Sequence, residues 1–156
     1  MGKVHAEKSA VLDAPPGDVY GLLADYRDGH PRILPPKYFR GLDVVEGGVG
    51  AGTVMLVHSS VMGRQQTMRM VASEPEPGRV LMETDPDADI VTTFTCDPLS
   101  DGRQTRLTIA TDWPTGPGLS GLLNRLFVPG ILRRMYADEL QEIARYLAAQ
   151  GAPAEA

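Results

Sequence analysis

The stretch GTVMLVHSSVMGRQQTMRMVASE, residues 52–74, decides the fold. It holds two β-patterned runs joined at Met62-Gly63. A tight turn there pairs Val61 with Arg64, and therefore Ser59 with Gln66, Val57 with Met68 and Met55 with Met70. Those last six residues share one face of a hairpin. The other parity carries Val54, Leu56, His58, Gln65, Thr67 and Arg69, a mixed set that tolerates water.

Working outward, the runs RGLDVVEGG, RVLMETD, DIVTTFTCD and TRLTIATDW have the same texture, and EGGVGAG, EPEPG, DPDA and PLSDG punctuate them with turn chemistry. Six consecutive strands with short links predict an antiparallel meander. Alternation places Ile90, Thr92, Phe94 and Cys96 on one face, and likewise Leu107, Ile109, Thr111 and Trp113. Beside its apolar members this inner face holds Ser59, Gln66, Thr92 and Thr111, which must find hydrogen bonds within the protein, from water or from a ligand.

Upstream, VHAEKSAVL reads as a first strand. PPGDVYGLLADY places Val19, Leu22, Leu23 and Tyr26 at helical spacing behind a proline-bearing first turn. DYRDGHPRILPPKYF, residues 25–39, shows neither period and is read as a loop. From Gly118 to Gln150 the pattern is helical, with an apolar stripe Leu119, Leu122, Leu123, Leu126, Phe127 before Pro129 and another, Leu132, Tyr136, Leu140, Ile143, Leu147, after Gly130. The second stripe is rotated by roughly one residue, about 100°, from the first. The Pro-Gly pair at that shift predicts a kink or break. The expected organisation is one domain over 1–150 and a frayed tail over 151–156.

Composition narrows the function. Of 156 residues, 42% are hydrophobic, enough for one core; 15 Lys and Arg against 20 Asp and Glu leave a charge of -5, with no basic stripe for nucleic acid. A single cysteine, Cys96, excludes an internal disulfide and a Cys-rich metal centre, and His5, His30 and His58 are too dispersed for a metal site. No cofactor is expected: GGVGAG precedes a strand, so it lacks the helix N-terminus of a phosphate loop. Stable membrane insertion is not expected either, because no segment approaches the ~20 apolar residues of a span, and without a signal-peptide pattern a cytoplasmic location is expected.

Taken together, VLDAPPGDVYGLLADY, EGGVGAGT, SEPEPGRVL and the long helix with its Pro-Gly pair resemble the SRPBCC superfamily of START-like lipid-binding and polyketide cyclase/dehydrase-like proteins. The resemblance covers nearly the whole chain and implies an α+β helix-grip fold. In that fold a curved antiparallel sheet of about seven strands wraps around a long, Pro-kinked C-terminal helix, with short helices between strands 1 and 2. It also implies a deep apolar cavity for a hydrophobic small molecule such as a lipid or a polyketide. Some members are aromatase/cyclases; others carry or sense a ligand or act on partner proteins.

On this frame the expected ligand-binding wall is Met55, Val57, Ser59, Gln66, Met68, Met70, Thr92, Phe94, Trp113, Leu123 and Phe127. Met82 is expected to extend the methionine-rich part. The catalytic candidates are His30 and Tyr38, placed near the mouth. His30 has the chemistry of a general acid/base, and its plain alternative is a loop histidine bonded to backbone. Ile33 and Leu34 read as a lid, Cys96 as a small buried hydrophobe. Arg125, Arg133 and Arg134 give the last helix a basic side that acidic residues offset further on. Three readings stay open: a carrier of a ring-containing ligand, an aromatase/cyclase-like enzyme using the same pocket, and a protein-partner module with a filled interior.

Overall fold

The computed structural model describes residues 2–61 and 63–151. Met62 of the hairpin turn, and the expected tail beyond Gly151, lie outside the described residues. The elements are β1 (Lys3–Leu12), α1 (Pro16–Ala24), α2 (His30–Ile33), β2 (Phe39–Glu46), β3 (Val54–Val61), β4 (Arg64–Glu76), β5 (Val80–Asp85), β6 (Ile90–Leu99), β7 (Gln104–Pro114) and α3 (Gly118–Gly151). The strands form one curved antiparallel sheet in the order β1-β7-β6-β5-β4-β3-β2, so the chain's first strand closes against its last. This is the helix-grip architecture.

The central hairpin has the register read from its alternation. Val61 faces Arg64, Ser59 faces Gln66, Val57 faces Met68 and Met55 faces Met70. Across the other strands Glu83 faces Thr92, Thr92 faces Thr111 and Thr111 faces Ala6, so one row of side chains crosses four strands on the concave face. Burial alternates accordingly: Leu81, Glu83 and Asp85 are buried on β5 while Met82 between them points to the other face. Met82 therefore does not join a methionine wall; parity separates it from Met68 and Met70.

α1 starts at Pro16, where a missing N–H costs nothing, and buries Val19, Tyr20, Leu22 and Leu23. Its far end is held by the glycine-rich turn: the N–H of Tyr26 donates to the carbonyl of Gly48 at 2.9 Å, and that of Gly50 to Ala24 at 2.9 Å. Gly50 sits at φ +65, and a β-carbon there would press on the Glu74 carboxylate. Glu74 in turn accepts from Tyr20 Oη at 2.7 Å and from the N–H of Ala51 at 3.0 Å. Turn, helix and β4 are thus tied at one point.

The segment read as an unstructured loop contains the single helical turn α2. A β-carbon at Gly29 would collide with the carbonyl oxygen of Leu22, so only glycine lets the chain turn this tightly beneath α1. α3 packs on β1 and α2 and runs uninterrupted through Pro129. Of the kink or break expected there, the break does not occur; the proline withholds one backbone donor, and the helix continues on either side of it. The stripe chosen for its first half also faces the wrong way. Leu119, Leu122, Leu123, Leu126 and Phe127 are exposed, Leu119 by 72% and Phe127 by 61%.

Candidate functional site

Between the concave face and α3 lies a cavity of about 300 Å³. Its sheet wall is supplied by residues of β2 through β7, mostly alternate ones, because a strand with period 2 directs every second side chain inward. Of the residues proposed from sequence, Val57, Ser59, Gln66, Met68, Met70, Thr92, Phe94 and Trp113 line this space. Three do not. Met55 has the right parity but lies fully buried in the packed core. Leu123 and Phe127 lie on the outer side of α3, whose cavity wall is made by Asn124, Val128, Ile131, Leu132 and Met135. Val128 follows Leu119 by nine residues, which at ~100° per residue is half a turn, so the helix is apolar on two opposite sides.

His30 belongs to the interior rather than the mouth. It is 3% exposed and lines the cavity from α2. Its Nδ1 lies 2.8 Å from the carbonyl oxygen of Leu23; a carbonyl only accepts, so Nδ1 carries a proton and donates. Nε2 faces Oε1 of Glu83 at 3.8 Å. The ring stacks on Tyr26 at 5.0 Å between centroids and meets Phe94 edge-on at 5.5 Å. Position and tautomer are therefore fixed by neighbours on three sides. Tyr38 is outside the cavity: its hydroxyl donates to Asp138 Oδ2 at 2.9 Å, fastening the segment before β2 to α3. Of the two lid residues, Leu34 lines the cavity and Ile33 is core.

Three functional candidates escaped the sequence reading: Glu83, Tyr136 and Glu139. Oε1 of Glu83 accepts from Tyr26 Oη at 3.0 Å. Tyr136, on α3, bonds Thr111, which bonds Thr92 at 2.8 Å. Thr92 and Thr111 thus satisfy each other and the tyrosine instead of waiting for a ligand. Glu139, one turn beyond Tyr136, is 3% exposed, lines the cavity and has no hydrogen-bond partner among the described residues. Burial, and then repulsion from Glu83, push its carboxyl up to about 8. Ser59 Oγ is the fully buried side-chain polar atom with no partner among the described residues. The signals for the acids were present in the sequence. Glu83 shares the parity of Leu81 on a short strand, and Glu139 sits within the stripe Leu132, Tyr136, Leu140, Ile143.

The remaining candidates are structural. Burial, and then the neighbouring Asp97, raise the Cys96 thiol to about 12, so it stays an unreactive hydrophobe. His58 bridges Asp43 at 2.8 Å and Thr67 at 2.9 Å on the outer face. His5, expected to have no local partner, meets Asp112 across the β1–β7 ladder at 2.8 Å and Glu7, two residues on, at 3.5 Å. Oδ1 of Asp85 accepts from the N–H groups of Asp87 and Ala88, both at 3.0 Å, and shapes the turn before β6. Among the described residues no three His, Cys, Asp or Glu side chains are grouped to hold a metal, and no helix is long and apolar enough to cross a membrane.

This chain belongs to the polyketide cyclase / dehydrase and lipid transport family, whose model matches residues 3–148, and with it to the SRPBCC superfamily. Solved structures agree with that fold. The protein KanY is 26% identical with a TM-score of 0.80, over 95% of this chain and 99% of its own. The Zhui aromatase/cyclase from Streptomyces sp. R1128 is 21% identical with a TM-score of 0.79, over 97% and 98%. A START superfamily protein from Mycobacterium smegmatis is 13% identical with a TM-score of 0.64, over 96% and 97%. No curated protein matches the chain in sequence.

Proposed function

We propose that the protein binds an apolar, ring-containing small molecule, lipid- or polyketide-like, between the sheet and α3. The observation that carries this reading is the cavity itself. A folded interior is ordinarily close-packed, and about 300 Å³ left open among Val57, Met68, Met70, Phe94, Trp113 and Leu132 forfeits dispersion contacts that a ligand restores. Flat aromatic walls suit a ring, and the two thioethers adapt to its outline. Membership of a cyclase and lipid-transport family supports the same reading. The cavity also weighs against the partner-module reading, which expects a packed interior.

The polar cluster of His30, Glu83 and Glu139 favours a second reading, an aromatase/cyclase-like reaction in the same space. There the cavity would fold a carbonyl-rich chain into a reactive shape and His30 or a carboxyl group would move the proton. Natively purified protein, extracted with organic solvent and analysed by mass spectrometry, tests the first reading. A stoichiometric apolar compound is expected. An empty extract, together with no thermal shift in a hydrophobic library, overturns it. For the second reading, His30→Ala is expected to cut turnover of a bound polyketide while leaving its affinity nearly unchanged; equal turnover removes His30 from the chemistry.

A further inference from the structure

The polar end of the cavity is unevenly satisfied. Glu83 receives the Tyr26 hydroxyl at 3.0 Å and has His30 Nε2 at 3.8 Å, whereas Glu139 receives no hydrogen bond from the described residues. Ser59 Oγ, 1% exposed and on the same cavity lining, is the fully buried side-chain polar atom left without a partner among the described residues. A buried carboxylate with neither counter-ion nor donor is costly, so at neutral pH Glu139 is the neutral acid, which is a hydrogen-bond donor in search of an acceptor.

We propose that the carboxyl group of Glu139 anchors the ligand by donating a hydrogen bond to a carbonyl oxygen of an uncharged ring compound. This rests on the ligand-binding reading above and narrows it. The groups facing Glu139 set the selectivity. From β5 comes Glu83, from α2 His30, from α3 itself Tyr136; β1, packed on the helix, buries only the apolar Val4, Ala6 and Leu12 and puts nothing on the cavity lining. Asp138, adjacent on the helix, is already held by Tyr38. Arg64, the one arginine on the lining, is exposed at the start of β4. A ligand carboxylate at Glu139 would meet the charge of Glu83 without a buried cation. An uncharged ketone, quinone or ester oxygen meets a donor already in place. Ser59 offers a second group to a polar substituent elsewhere on the ring system.

Three probes sharing one ring system distinguish the alternatives: acetonaphthone, naphthoate and naphthylmethylamine, each titrated calorimetrically into the full chain from about pH 6 to pH 10. The ketone is expected to bind best, with an affinity steady at low pH and falling toward tenfold per unit once pH passes about 8, as the acid loses its proton. Glu139→Gln keeps an N–H donor of nearly the same shape, so it is expected to retain ketone binding and to lose the pH dependence. Ketone affinity that does not change with pH in the native sequence overturns the proposal, whether or not the variant folds. So does tighter binding of naphthoate, or of the amine, than of the ketone at pH 6, where the acid is protonated. Failure of all three probes at every pH overturns the ligand-binding reading itself, and the anchor with it.

Discussion

The hydroxyl of Tyr26 donates to Oε1 of Glu83 at 3.0 Å, joining the segment after α1 to the middle of β5 beneath the cavity. Both residues are buried, Tyr26 fully and Glu83 on the cavity lining. Tyr26→Phe keeps the ring that stacks on His30 and removes only the donor. It is expected to destabilise the protein by about 1–3 kcal/mol in urea denaturation, the cost of leaving a buried acceptor short of its bond. A change under about 0.5 kcal/mol contradicts the claim that this bond sustains the buried carboxylate.

Glu139 makes stability depend on pH. Its carboxyl ionises near 4.5 in the unfolded chain and at about 8 in the folded protein. The folded state therefore binds the extra proton between those values, and its contribution is complete below the lower one and lost as pH rises through the upper. Glu139→Gln is expected to be more stable than the native sequence at pH 7, by on the order of 3 kcal/mol, with the difference vanishing toward pH 4. Denaturation of both proteins across that range checks it. A variant less stable than the native protein at pH 7 would show that the carboxyl is paired.

The two sides of α3 are predicted to respond oppositely to truncation. Phe127 is 61% exposed and its replacement by Ser is expected to change stability by no more than about 0.5 kcal/mol. Leu140 is 4% exposed in the core, and Leu140→Ala is expected to cost about 2–5 kcal/mol. Equal losses at the two positions contradict the orientation of the helix.

That orientation marks the limit of what could be read from residues alone. The hairpin was legible because turn length fixes register, and register fixes which of Ser59 and Ser60 faces inward. The first half of α3 was not, since a helix with Leu119 and Leu126 on one side and Val128 and Leu132 on the other has two apolar faces, and only packing chooses between them. The Asp138 partner of Tyr38 is distant in sequence, so no local pattern announces it. Glu83 and Glu139 were legible as charges on apolar parities, and such exceptions to burial are where the binding chemistry of this cavity now concentrates.

The space beside Met68 is the proposed binding site. Native mass spectrometry of the protein incubated with a hydrophobic ring-compound library, compared with Met68→Trp, tests it most directly. One bound ligand is expected on the native sequence and none on the variant, whose melting temperature stays within a few degrees because the indole fills open volume rather than packed core. Equal binding by both proteins, or unfolding of the variant for want of room, would contradict it.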